Sequence, residues 1–380
     1  MRYRVWLLLV VCLLTGDLAA ALDRVDFKRD AHEQSVEGRV LAKADDGGLL
    51  LESADGVLWS LQAEEIVRHQ TDALPFVPLA PAELAKQLLS QLPEGFEAHY
   101  TQNYVIVHNA SKAYAQWCGT LFEQLYRAFT NYWSRKGFDI KKPAFPLVAV
   151  VFADKQSYAR YVQQELGSVS DSIIGYYSLQ SNRMTMYDLT GVQQLRRPGA
   201  RRTTAAQINE MLSSPDASRM VATIVHEATH QVAFNCGLQQ RFADIPLWLC
   251  EGMAIYFETP DLQSSTGWRT IGSVNRVRLQ GFREYLPRRK PESLKTLLVD
   301  DDRMRDSRTA LDAYAEAWAL NYFLIRQRPK QYVEYLKVLG QKPPLAQYSA
   351  ETRLREFQQA FGENLGQLDA EFLRYMSKVR

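Results

Sequence analysis

At 380 residues, 46% hydrophobic and 23% charged, the chain is long enough for two or three domains and apolar enough to bury a core. Its formal charge of +2 sets up no strong field, so nothing in the charge balance points to nucleic acid or an anionic membrane as partner.

Residues 1–21 stand apart from the rest. Arg2 and Arg4 make a positive start, Val5 to Leu14 is an apolar run, and Ala19-Ala20-Ala21 supplies small residues. This is the pattern of a secretory signal peptide. The run is shorter than the roughly 20 residues that span a bilayer as a helix. A cleaved leader and export to the periplasm or medium are therefore expected, with no stable membrane span afterwards; an uncleaved anchor is the alternative. Removing the leader leaves Cys118, Cys236 and Cys250, an odd number. Cys236 and Cys250 flank the region of interest, and a bridge between them is left open.

Residues 22–80 read as a small β module, with an SH3-like barrel as one form, and a linker. Val36 to Lys43 and Gly48 to Glu52 are expected strands joined at Asp45-Asp46-Gly47-Gly48, with a third at Val57 to Leu61. The linker falls at the proline-punctuated Leu74 to Pro81. Nothing in the module carries chemistry, so docking to a partner is the role it suggests.

Residues 81–270 mix helix and strand. A short helix at Ala82 to Gln91 precedes a strand at Tyr104 to Val107. Ser111 caps a long helix to Arg135 that Gly137 ends, Leu147 to Phe152 is a buried strand, and Asp154 caps the next helix. Gly175 to Ser178 and Arg183 to Tyr187 flank Gln180-Ser181-Asn182 as a hairpin. The basic run Arg196 to Arg202 reads as a solvated connection in preference to an anion-binding loop. Residues 271–380 are mostly helical in pattern, clearest from Asp312 to Arg326.

The chemistry lies in His226-Glu227-Ala228-Thr229-His230. On a helix, residues four apart stack one turn from each other, so both imidazoles reach one small cation, and Glu227 projects beside it. Two nitrogen ligands and a base over a metal-activated water suit a zinc hydrolase. The helix is expected from Asp216 to Cys236. Val221, Ile224, Val225, Ala228 and Val232 fall on one arc and the histidines on the other, which argues against core histidines. Pro246 opens a second helix in which Glu251 supplies a third, carboxylate ligand and leaves the fourth position of one Zn²⁺ for water. Glu258, two turns further, is the competing ligand. Gly252 and Ala254 are small enough for two helices to approach closely around the metal.

These segments resemble the gluzincin pattern of aminopeptidase N-like enzymes. More closely, the Gly175 to Asp188 hairpin, HEATHQ and PLWLCEGMAIYFE resemble a peptidase-MA-like bacterial family designated domain of unknown function 1570, over about Tyr104 to Phe323. The resemblance implies an α+β, zincin-like metallopeptidase fold: a twisted sheet over an active-site helix and a ligand-bearing helix, with a helical C-terminal part completing the cleft. It implies His226, His230 and Glu251 as zinc ligands and Glu227 as the base of peptide-bond hydrolysis. By similarity to the tyrosine of gluzincins, Tyr314 is the expected oxyanion donor, against a plain packing role. The Gly-x-Met-x-Asn exopeptidase motif is absent, so aminopeptidase specificity is not implied. Peptide or protein is the expected substrate. A zinc hydrolase of another amide, such as a cell-wall peptide or amino sugar, and a non-catalytic scaffold are the alternatives.

Overall fold

The computed structural model describes residues 21–30, 32–167, 173–191, 204–259, 262 and 270–380. The expected leader up to residue 20 and the basic run 196–202 lie outside the described residues. The fold is α+β, with two sheets and a mostly helical C-terminal half. The described residues divide into two compact units, one from within 21–54 plus 59–77, the other from within 55–58 plus 78–380.

The first unit is built on a five-stranded sheet of β1 (Ala21–Arg29), β2 (His32–Lys43), β3 (Leu49–Ser53), β4 (Leu58–Leu61) and β5 (Ile66–Pro75), in the order β4-β3-β2-β1-β5. In β1, Asp23, Val25 and Phe27 turn inward at period two, and Val25 and Phe27 pack with Val36, Leu49, Leu51 and Leu61. The β2–β3 turn uses Gly47 at φ 95°, with Gly48 N–H donating to Asp46 Oδ1 at 2.9 Å. The three expected strands are present. Strands β1 and β5 go beyond them, and β5 extends into the expected linker, because their backbones pair with each other while β5 itself stays largely exposed.

The second unit begins with α1 (Pro81–Gln91) and carries β6 (Glu97–Tyr100), β7 (Tyr104–His108), β8 (Leu147–Phe152), β9 (Gly175–Tyr177) and β10 (Arg183–Tyr187), ordered β6-β7-β8-β10-β9. Strands β7, β8 and β10 run parallel, and the flanking β6 and β9 are antiparallel. All of β7 and β8 is buried, which is why both read as unbroken apolar runs. The edge strand β6 has no apolar pattern and is legible only from its pairing. Between β7 and β8 runs α2 (Lys112–Arg135), capped by Ser111 Oγ, which accepts from Tyr114 N–H. Before the β9–β10 hairpin runs α3 (Lys155–Leu166), capped by Asp154.

After α4 (Ala205–Leu212) come the two helices that matter most, α5 (Pro215–Asn235) and α6 (Leu247–Phe257). Helix α5 packs on β9, β10, α2 and α6 through the predicted arc: Val221, Ile224, Val225, Ala228 and Val232 are fully buried. Each large aliphatic side chain so buried contributes on the order of 1.5–3 kcal/mol. The rest is helical: α7 (Arg276–Tyr285), α8 (Ser293–Val299), α9 (Asp302–Arg305), α10 (Ala310–Gln327), α11 (Pro329–Gly340), α12 (Ala350–Phe361) and α13 (Leu365–Met376). No described helix is long and apolar enough to cross a membrane. Cys118, Cys236 and Cys250 are all free and buried, so the bridge left open between Cys236 and Cys250 is not formed.

Candidate metal centre

Helix α5 turns His226, Glu227 and His230 away from its buried arc, and α6 brings Glu251 to meet them. His226 Nε2 lies 3.1 Å from His230 Nε2 and 3.1 Å from Glu251 Oε2, and His230 Nε2 lies 3.5 Å from Glu251 Oε1. Among the described residues this is the single group of histidine, cysteine and carboxylate side chains whose donor atoms could hold a metal ion. The residues fit zinc. With zinc–ligand bonds of about 2.0–2.2 Å at tetrahedral angles, donor atoms stand about 3.3–3.6 Å apart, close to the spacings found. The three side chains are 13%, 11% and 17% exposed, so the cluster is mostly buried yet still reached by solvent.

Glu258 is not a rival ligand. It is the C-cap of α6, and its Oε2 sits 3.0 Å from Nδ1 of His226, on the far side of the ring from Glu251. A carboxylate there keeps the proton on Nδ1 and leaves Nε2 with its lone pair for a cation. Asn275, the N-cap of α7, donates from Nδ2 to Glu258 Oε1 at 2.8 Å and accepts from Arg278 N–H at 3.1 Å. The seven-residue spacing from Glu251 to Glu258 was a readable signal, since two turns bring both carboxylates to one face.

Glu227 lies beside the three donors and its Oε2 accepts the backbone N–H of Tyr177 at 2.9 Å. Ser178 N–H points the other way, to Arg183 O on β10 at 2.9 Å. The outer side of β9, the last strand of the sheet, therefore faces Glu227. Burial raises the Glu227 pKa, and the neighbouring imidazoles only partly offset it. For Glu251 burial also opposes charge, but His230 and His226 win and hold its carboxyl well below the usual range. Burial disfavours a charged His226, yet Glu251 and Glu258 on its two nitrogens raise its pKa well above the usual value.

Tyr314 joins the same cavity from α10, close enough to Glu251 for that carboxylate's charge to act on its phenol. Burial, then the charge of Glu251, raises its pKa, so the phenol stays protonated at neutral pH. What positions it is Gly252. A Cβ there would stand 2.0 Å from Asn321 Nδ2 and 2.6 Å from Ala317 O, both on α10. The small residue predicted to let helices close around the metal thus serves the α6–α10 contact instead. Asn321 donates from Nδ2 to Trp248 O at 2.9 Å across it. The cavity has a volume of about 650 Å³ and continues past Phe242 and Ile245 to Asp244, Asp301 and Arg353.

The five expected site residues, His226, Glu227, His230, Glu251 and Tyr314, meet here; Glu258, expected as a competing ligand, sits behind His226 instead, and Asn275 and Arg278 carried no signal in the sequence. A comparison with curated proteins finds no match for the chain. The expected resemblance ran from about Tyr104 to Phe323; the family match begins later and ends further on. Residues 220–346 match the family described as Protein of unknown function (DUF1570), the one the motif and ligand helices resemble, and that span holds every side chain of the constellation.

Proposed function

We propose that this protein is an exported zinc-dependent metallopeptidase with a zincin-like fold. The observation that carries the reading is the convergence of His226, His230 and Glu251 on one point, with Glu227 beside it in an open cavity. Zinc bound there would polarise a carbonyl oxygen and bring the pKa of a water toward about 7. Glu227, held through one oxygen by Tyr177 N–H, takes the proton of the attacking water and passes it to the leaving amine. The Tyr314 phenol, kept protonated, donates a hydrogen bond to the oxygen on which charge develops.

Peptide is read ahead of amino-sugar amides because β9, the last strand of its sheet, lies alongside Glu227, and a strand in that position is where an extended chain is aligned. Metal analysis and a peptide-library digest of the purified chain test the proposal. About one zinc per chain is expected, lost in His226→Ala and kept in Glu227→Gln, with cleavage present in the wild type and absent in Glu227→Gln. Zinc retained after both histidines are replaced, or cleavage indifferent to Glu227, would overturn it.

A further inference from the structure

Three arginines line the cavity, and their surroundings differ. Arg353 is ion-paired to both Asp244 and Asp301. Arg305 is 67% exposed and lies 3.8 Å from Asp301. Arg278 is half-buried and has no carboxylate within 4.0 Å among the described residues, although Glu251 and Glu258 belong to the same cavity wall.

Its place is nevertheless defined. The Arg278 backbone N–H is held by Asn275, Asn275 holds Glu258, and Glu258 holds His226. On the other side the guanidinium lies over the Tyr314 ring at 5.6 Å, and Tyr314 and Glu251 line the same cavity. The arginine thus stands between the Asn275–Glu258–His226 chain and the Tyr314 ring. A guanidinium stacked on an aromatic face keeps its edge N–H donors, and that planar fork matches a carboxylate. Leaving such a fork unpaired inside a cavity costs desolvation energy that a ligand's anion would recover.

We propose that Arg278 is the carboxylate-binding residue of this cavity and makes it selective for peptides that carry a free carboxylate beside the bond to be cleaved. The inference rests on the peptidase reading for its substrate class. The carboxylate is supplied either by an acidic side chain or by the peptide C-terminus.

The test is binding to the Glu227→Gln protein, which separates recognition from turnover. Two probe pairs are titrated by calorimetry, with and without added zinc: acetyl-Ala-Ala as acid and as amide, and the amides of acetyl-Asp-Ala and acetyl-Asn-Ala. At least one carboxylate form should bind about tenfold tighter than its neutral partner, as a charge-assisted hydrogen bond implies. Adding Arg278→Ala should erase that preference without weakening the neutral probes, and Arg278→Lys should restore part of it. The pair that responds identifies the source of the carboxylate. Loss of acid and neutral binding alike in Arg278→Ala would make Arg278 a support for Tyr314 and overturn the proposal. So would equal affinity for both members of each pair, or no binding of any probe at about 20 mM, well beyond the millimolar range of weak specific ligands. A failure to bind zinc would overturn the metal reading alone, because the zinc-free titrations still judge Arg278.

Discussion

Glu258 Oε2 stands 3.0 Å from Nδ1 of His226, the ring nitrogen that faces away from Glu251. A carboxylate in that position orients the ring and raises its basicity toward a cation, and the loss of such outer partners usually costs 10–100-fold in metal affinity (roughly). Glu258→Ala should therefore bind zinc at the same stoichiometry but about 10–100-fold more weakly, read by competition with a chromophoric chelator. Abolished binding would instead make Glu258 a ligand.

Gly252 lets α6 and α10 touch. In Gly252→Ala the new methyl meets the Asn321 amide and the Ala317 carbonyl, and overpacking of this kind costs about 1–3 kcal/mol. The helices must part, carrying Tyr314 away from Glu251. Peptide cleavage should fall by more than zinc affinity does, a split visible when kcat and metal Kd are measured on one preparation.

Glu316 is fully buried on α10, two residues from Tyr314, and bonds Arg289 at 2.8 Å and Arg303 at 2.7 Å. Removing one partner of a buried ionic group strands the others. Glu316→Ala should lower unfolding free energy by about 3–5 kcal/mol, measured by chemical denaturation, with Arg303→Ala costing less because its side chain is 19% exposed.

Asp244 offers a pH test outside the donor cluster. Burial works against its charge, but the hydrogen bond and charge of Arg353 prevail and depress its pKa. A carboxylate with a folded pKa below its unfolded one contributes stability that is present above the unfolded pKa and lost as pH falls through the folded one. Arg353 also pairs with Asp301, whose Oδ1 accepts the N–H of Leu247 at the start of α6. Thermal stability should thus drop as pH falls below about 4, and Asp244→Asn should flatten that drop while lowering stability at pH 7.

The motif helix was readable because its information is local. Five apolar positions at helical spacing define the buried side, so His226, Glu227 and His230 had to face away from it. Glu251 was readable because a carboxylate on a short return helix completes a donor set. Strands β7 and β8, buried throughout, announced themselves as apolar runs. The mostly exposed β5 and the partly exposed β6 did not, since their strand character comes from pairing with neighbours rather than from any pattern of their own.

By itself, then, the amino-acid sequence determined which side chains could bind a metal and accept a proton, because helical periodicity is a property of neighbours three and four apart. Only the tertiary structure decided what surrounds them: that Glu258 supports His226, that Gly252 meets α10, that the β9 edge faces Glu227, and that Arg278 stacks on Tyr314. Those relationships join distant segments of the chain. Their geometry follows from how helices and sheet pack, which no local pattern encodes.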